Sequence, residues 1–295
     1  MTAIIEAEGL TKHYRGVTAV NEVSFSLEGP GIHGLLGRNG AGKTTLMQLM
    51  SGQEFATSGA VRIFGQSPVE NAAALRRTCF IKESQVYPDG FRARHVLKAA
   101  PWFFDDWHEP LAQQLIADFR LPVDRMVKKL SRGQRSSLGA IIGIASRSEL
   151  TLLDEPYAGL DAVARRLFYD RLLADYAEHP RTIVLSTHLI DEAADLLERV
   201  LVIDNGHLIL NEYADDLRGA ATTLAGRATD IDAFAAGREV IDKSRLGGIA
   251  TVTLLGLTTE DKTRAHAAGL ESSPVSLQQL IVRRTGAHLE QEIAS

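Results

Sequence analysis

Gly37-Arg38-Asn39-Gly40-Ala41-Gly42-Lys43-Thr44-Thr45 follows the apolar run Ile32 to Leu36 and precedes a second one, Leu46 to Met50. An apolar strand, a glycine-rich turn and a helix start make a loop whose backbone N–H groups converge on an anion, with the positive end of the helix behind them. The spacing of Gly37, Gly42, Lys43 and Thr44 is that of a phosphate-binding loop, and a triphosphate is its natural guest. Lys43 would reach the β- and γ-phosphates as a point charge. The Thr44 hydroxyl would ligate Mg²⁺, which prefers hard oxygen donors. Thr45 brings a second hydroxyl beside it.

Two further strand ends carry chemistry. Leu150 to Leu153 is an apolar run that ends in Asp154 and Glu155, and neighbouring carboxylates at a strand end point different ways. Asp154 is placed to hold Mg²⁺, and Glu155 to polarise an attacking water. Arg181 to Thr187 is another strand with a polar tip at His188, at the kind of sheet edge where ligands of open α/β sheets sit. Upstream, Val23, Phe25 and Leu27 alternate with Ser24, Ser26 and Glu28, the period of a strand with one wet face. Tyr14 precedes that strand and is placed either to stack on a purine ring or to pack in a β-rich segment.

Leu130-Ser131-Arg132-Gly133-Gln134 opens a helical stretch to about Ala145, with Ser131 as N-cap. From His95 to Arg120 the pattern is helical, and it holds both tryptophans in Trp102-Phe103-Phe104-Asp105-Asp106-Trp107. These aromatics read either as the core of a small helical subdomain or as a docking groove for a partner's helix. Val200 to Leu210 reads as a hairpin about Asn205-Gly206, a pair that accepts positive φ at both turn positions. Beyond about Tyr213 strand-like pieces (Ile249 to Leu255) and helix-like ones (Thr258 to Ala268, Leu277 to Arg284) alternate without chemical motifs.

With 295 residues and 45% hydrophobic content the chain holds a large α/β domain and a smaller appendage. A net charge of −5 leaves no basic footprint, so no nucleic-acid partner is expected. The longest run of apolar residues and glycine, Leu138 to Ala145, is far below the ~20 residues a spanning helix requires. Met1 to Glu6 carries no basic n-region of a secretory signal, and the lone Cys79 fits a reducing compartment.

Taken in order, the phosphate loop, the Leu-Ser-x-Gly-Gln helix start, the Asp-Glu strand end and the strand-tip histidine resemble the ATP-binding subunits of ABC transporters. The resemblance covers about residues 3 to 217. It implies an ABC-type P-loop NTPase fold with a RecA-like α/β core, an amino-terminal antiparallel β subdomain and a helical subdomain at about residues 87–148. Residues 1–217 would form the ATP-binding domain and 218–295 a small carboxyl-terminal α/β appendage. By the same resemblance Gly37 to Thr45 is the Walker A loop, Asp154 the Walker B aspartate, Glu155 the catalytic base and His188 the switch histidine. Asp161 matches the D-loop, and Tyr14 the aromatic that stacks on adenine.

The implied ligands are ATP and Mg²⁺. The implied assembly is a head-to-tail dimer, homo- or heteromeric, in which Ser131, Gly133 and Gln134 of one copy face the γ-phosphate held by the other. A transmembrane permease on a separate chain would dock beside the helical subdomain, keeping the protein cytoplasmic and peripheral on the inner face of the cell membrane. The wider wording resembles multidrug or peptide exporters. The competing class is a soluble ABC ATPase acting on the ribosome or nucleic acid; its relatives carry two cassettes or inserted modules, whereas this chain has one Walker A loop. An ABC protein that regulates without turnover is opposed by the presence of Glu155 and His188. Two positions depart from the family pattern. Arg132 stands where a second glycine is usual, and at the Q-loop the glutamine position falls on Glu83, with a glutamine two residues on at Gln85. Both Glu83 and Gln85 are candidates for that role.

Overall fold

The computed structural model describes residues 3–83 and 85–283. Ser84 in the polar loop, Arg284 at the end of the last expected helix, and the rest of the carboxyl terminus lie outside the described residues. The chain forms two compact units, Met1–Leu189 with Leu196–Asn211, and Ile190–Asp195 with Glu212–Ser295.

The first unit begins with long strands β1 (Ala3–Tyr14) and β2 (Val17–Glu28), then β3 (Gly31–Leu36), helix α1 (Lys43–Met50) and β4 (Ser58–Ile63). β1 pairs antiparallel with both β2 and β4, giving a three-stranded sheet in the order β2-β1-β4. The alternation read in β2 is realised: Val23, Phe25 and Leu27 are buried, while Ser24 and Glu28 are exposed. Their inner face joins Leu46, Met47 and Met50 of α1 in one apolar core, so the sheet and the helix behind the phosphate loop are stabilised together.

β3 leaves that sheet for a second one. With β5 (Thr78–Ile81), β6 (Leu150–Asp154), β7 (Thr182–Thr187), β8 (Arg199–Asp204) and β9 (His207–Tyr213) it forms six strands in the order β5-β6-β7-β3-β8-β9. Every residue of β3, β6 and β7 is buried, which is why these segments read as unbroken apolar runs: a parallel sheet is covered on both faces. The register pairs Asp154 with Ser186 and Thr187 with Leu36, so the carboxyl ends of three adjacent parallel strands finish level. The hairpin after β8 turns through Asn205 (φ 46°) and Gly206 (φ 83°), the two positive values the sequence required.

The intervening helices are α2 (Ala72–Arg76), α3 (Ala93–Ala99), α4 (Glu109–Asp118), α5 (Arg132–Ala145) and α6 (Ala162–Glu178). The stretch read as helical from His95 to Arg120 is two helices separated by a turn. Prolines explain the break: Pro101 sits in a short 3₁₀ turn after α3 and Pro110 in the first turn of α4. Proline lacks an N–H and is tolerated only where a helix begins. A buried acid on α6, Asp175, receives Arg147 (Nη2 at 2.7 Å) and Arg181 (Nη1 at 2.8 Å), tying the end of α5 and the start of β7 to α6.

In the second unit, α7 (Ile190–Ala193) and α8 (Ala214–Leu217) are followed by β10 (Ala221–Arg227), α9 (Ala228–Ala235), β11 (Val240–Leu246), β12 (Ile249–Leu255), α10 (Thr259–Ala267) and β13 (Glu271–Pro274), with a further helix from residue 277 to 283. The four strands form an antiparallel sheet in the order β11-β12-β10-β13, a βαββαβ arrangement with its own core of Leu224, Ile231, Val252, Leu254 and Leu270. Among the described residues no helix is long and apolar enough to cross a membrane.

Candidate active site

The phosphate loop is shaped by glycines that nothing else can replace. Gly37 has φ 153° and Gly42 φ 112°, and a Cβ on either would lie 2.2 Å from a backbone carbonyl, that of Ile203 or Ala19 respectively. The loop therefore nests against the hairpin after β8 and against β2. Gly42 is the left-handed N-cap of α1, and no side chain caps the helix, leaving its first turn to an anionic ligand.

The first helical residue is Lys43. Its buried ammonium donates to the carbonyls of Gly37 (2.8 Å) and Arg38 (3.0 Å), curling over the loop, and lies 3.7 Å from Glu155 Oε1. Burial lowers its pKa, against the pull of Glu155 and Asp154. A phosphate arriving here would strengthen the charged form. Thr44 donates its hydroxyl to Asp154 Oδ2 at 2.7 Å, joining the start of α1 to the end of β6. Asp154 is itself pushed upward by burial, opposed by the Thr44 hydroxyl and by Lys43.

Glu155 follows in a left-handed backbone conformation, φ 46°, which a long side chain adopts only when its surroundings impose it. Its amide donates to the Ser186 carbonyl at 3.3 Å across the level strand ends. Its carboxylate lies between two bases, Oε1 toward Lys43 and Oε2 at 2.9 Å from His188 Nδ1. His188 is in turn held by Tyr157, whose hydroxyl accepts from the His188 amide at 3.1 Å and is hydrogen-bonded to Thr187 Oγ1. Burial pushes the Tyr157 phenol up to about 12, so it remains a neutral support.

These groups open on a cavity of about 340 Å³ that Asn39, Gly40, Gly42, Lys43, Thr44, Thr45, Glu83, Asp154, Glu155 and His188 line together with Val17, Ala19 and Arg132. Arg38 is exposed and Ala41 buried within the loop. The residues present fit Mg²⁺. Asp154 Oδ1 is buried without a hydrogen-bond partner, and the Thr44 hydroxyl stands beside the same carboxylate. Among the described residues no group of three or more His, Cys, Asp or Glu is arranged to hold a metal ion by itself.

Several expected residues lie outside this cavity. Tyr14 is exposed at the end of β1, with the Lys12 ammonium 4.9 Å from its ring centre, and it does not line the pocket. Ser131 caps α5 by accepting from Gln134 N (3.2 Å), while the Gln134 side chain accepts from Ser131 N (3.1 Å), a reciprocal capping box. Gly133 is required by contact: a Cβ there would lie 2.5 Å from the Gly159 carbonyl. Asp161 caps α6, accepting from Ala164 N at 2.8 Å.

The two Q-loop candidates part company. Glu83 lines the cavity of the phosphate loop, and Gln85 lines a separate apolar groove of about 500 Å³ with Phe80, Tyr87, Phe91, Trp102, Phe103 and Phe104. Trp102 is 74% exposed, so the reading of both tryptophans as subdomain core fails for it. Trp107 is half-buried, donates to Glu109 Oε2 at 2.8 Å and does not line the groove.

The model of the family described as ABC transporter matches residues 20–158. The bacitracin transport ATP-binding protein BcrA of Enterococcus faecalis is 31% identical over 71% of this chain and 69% of its own length. The chain belongs to the ABC transporter ATP-binding subunits. The Nod factor export ATP-binding protein I of Ralstonia nicotianae is 29% identical over 98% of this chain and 95% of its own, so the similarity to this ABC subunit extends through the second unit. Among solved structures, an ATP-binding cassette dimer in a post-hydrolysis state with ADP and Pi matches 71% of this chain and 98% of that one at TM-score 0.62 and 17% identity, a likeness of fold. As an ABC subunit the protein binds ATP and is an ATPase.

Sequence reasoning gave no cavity role to four residues, Arg132, Tyr157, Val17 and Ala19. Arg132 stands in the sequence only as a departure from the family pattern, yet it lines the cavity. Tyr157 follows the Asp-Glu-Pro strand end as one more aromatic, and only the fold shows it behind His188. Val17 and Ala19 carry no polar signal; their role comes from the turn of β1 into β2.

Proposed function

We propose that the chain is the motor subunit of an exporter of the multidrug or peptide type, coupling ATP-driven closure of a dimer to a transmembrane permease on a separate chain. The observation that carries the hydrolytic half is the placement of Glu155 between Lys43 and His188, beside Asp154 on the Thr44 hydroxyl. Residues 1–217 would carry this work and 218–295 an accessory role.

In this reading the loop from Gly37 to Thr45 cradles the phosphates, Lys43 neutralises the β- and γ-oxygens, and Tyr14 stacks on adenine. Thr44 and Asp154 would hold Mg²⁺, which would supply positive charge across the phosphate oxygens. Glu155 accepts the proton of the attacking water, and the His188 hydrogen bond keeps its carboxylate from rotating away. Ser131, Gly133 and Gln134 of a second copy, homo- or heteromeric, cap the γ-phosphate, with Asp161 at the shared interface. The dimeric state of the solved cassette supports this arrangement. Exporter function is supported by the names of the relatives, which include a Nod factor export protein.

Glu83 takes the Q-loop role in this proposal. Glu83→Ala should slow steady-state ATPase about tenfold, the loss of one polar contact to water or metal, while Gln85→Ala should leave the rate within about twofold. The reverse order would assign the role to Gln85.

The apolar groove is where the permease docks, holding the protein at the inner face of the membrane. Exposed aromatics in a groove supply much of an interface's energy, and truncating one costs ~2 kcal/mol, about 30-fold in affinity. Trp102→Ala should therefore lose the permease on co-purification while its melting temperature and nucleotide affinity hold. Trp107→Ala, outside the groove, should retain it. Association unchanged in Trp102→Ala would reject the groove as the docking site.

A further inference from the structure

The two positions at which this chain departs from its family's motifs meet in space. Arg132 Nη2 bonds Glu83 Oε1, and both side chains line the cavity of the phosphate loop. The aim of the arginine is fixed by its surroundings. Arg132 is the first residue of α5, directly after the cap Ser131, and its stem lies across Gly159. A Cβ at Gly159 would come within 2.7 Å of Arg132 Cγ and 3.1 Å of its Cδ, and Gly159 has φ 84°. A bare backbone there leaves the path by which the guanidinium reaches Glu83.

The charges that line the cavity show what the pair does. Glu83, Asp154 and Glu155 are acids, and Lys43 and Arg132 bring the positive charge. Without Arg132, three carboxylates would face a highly anionic triphosphate with a single cation to offset them. Without Glu83, Arg132 would lose its ion-pair partner and add its charge to that of Lys43 in the same cavity. We propose that Glu83 and Arg132 form one charge-compensated unit that sets nucleotide affinity, the arginine cancelling the acid that this chain carries in place of a neutral glutamine. In this arrangement the residue between Ser131 and Gly133 serves its own chain's cavity.

The unit makes opposite predictions for its two halves, which a structural role would not. Equilibrium titration with methylanthraniloyl-ATP, competed by a non-hydrolysable ATP analogue, should show Arg132→Ala weakening binding about fivefold and Glu83→Gln tightening it by a similar factor, as expected for one added or removed charge near the phosphates. The double variant should return to within about twofold of the parent, Arg132→Lys should keep parental affinity, and high salt should shrink every difference. Melting temperatures are measured alongside; if Arg132→Ala does not fold, the sign of the Glu83→Gln shift decides alone. Shifts of both single variants in one direction, or a double variant as weak as Arg132→Ala, would overturn the unit. The inference rests on the cavity being the nucleotide site. Unchanged affinity in Lys43→Ala would sink that reading itself, whereas loss of binding in Lys43→Ala with no opposed shifts at Glu83 and Arg132 would sink only the unit.

Discussion

Lys43→Ala should reduce ATP affinity by at least about 100-fold. The ammonium makes two hydrogen bonds to loop carbonyls and stands 3.7 Å from Glu155. Hydrogen bonds to charged groups contribute roughly 1.5–3 kcal/mol each, so loss of the contacts to the phosphates amounts to about 3 kcal/mol or more. The remaining effect adds to it: Asp154 and Glu155 would repel the phosphates with no nearby lysine between them. The fold should tolerate the change, because burial already disfavours the charged lysine. Isothermal titration with ATP, together with a melting curve, checks both parts. Affinity within about threefold of the parent would remove the loop from the nucleotide site.

Glu155→Gln should leave ATP binding intact and slow hydrolysis by about 10²–10⁴-fold, the range expected when a general base is removed. An amide matches the carboxylate in shape and cannot take the proton from water. It also removes the carboxylate charge beside Lys43 without emptying the space between Lys43 and His188. With turnover stopped, ATP should hold two copies together, visible as a dimer on size-exclusion chromatography. A monomer under saturating ATP would reject a homodimer for this chain and leave pairing with a different ATP-binding subunit. Turnover near the parental rate would move the base elsewhere in the cavity.

Much of this cavity's lining is legible in the sequence. The phosphate loop, Asp154-Glu155 and His188 each terminate an apolar run, and parallel strands buried on both faces produce such runs. Since strand ends in such a sheet gather on one edge, listing the polar tips in order nearly listed the site. The alternation of β2 is equally plain, and so are the N-cap at Ser131 and the turn at Asn205-Gly206. What sequence could not give was juxtaposition between distant loops. Glu83 and Arg132 are 49 positions apart and each looks like a lone exception; their pairing depends on how α5 enters beside Gly159. The helical stretch was misjudged for a local reason, since two prolines divide a pattern whose hydrophobic period runs on across them. Trp102 was ambiguous because size and apolarity fit both a core and a docking face, and only burial separates them.

The path of the chain immediately after His188 has a mechanical consequence. The six residues Ile190–Asp195 belong to the second unit, and the chain then returns to the first for Leu196–Asn211. Within the second unit Asp191 accepts from Ser276 Oγ and from Gln278 N, both at 3.3 Å, and Ala194 accepts from Arg218. The strand-tip histidine is thus tethered by two peptide bonds to a segment whose anchors come from the far end of the sequence. A chain cut after Leu217 would strip Asp191 of both partners and release that tether. Its expected signature is faster amide exchange at residues 188–195 with the six-stranded sheet still protected.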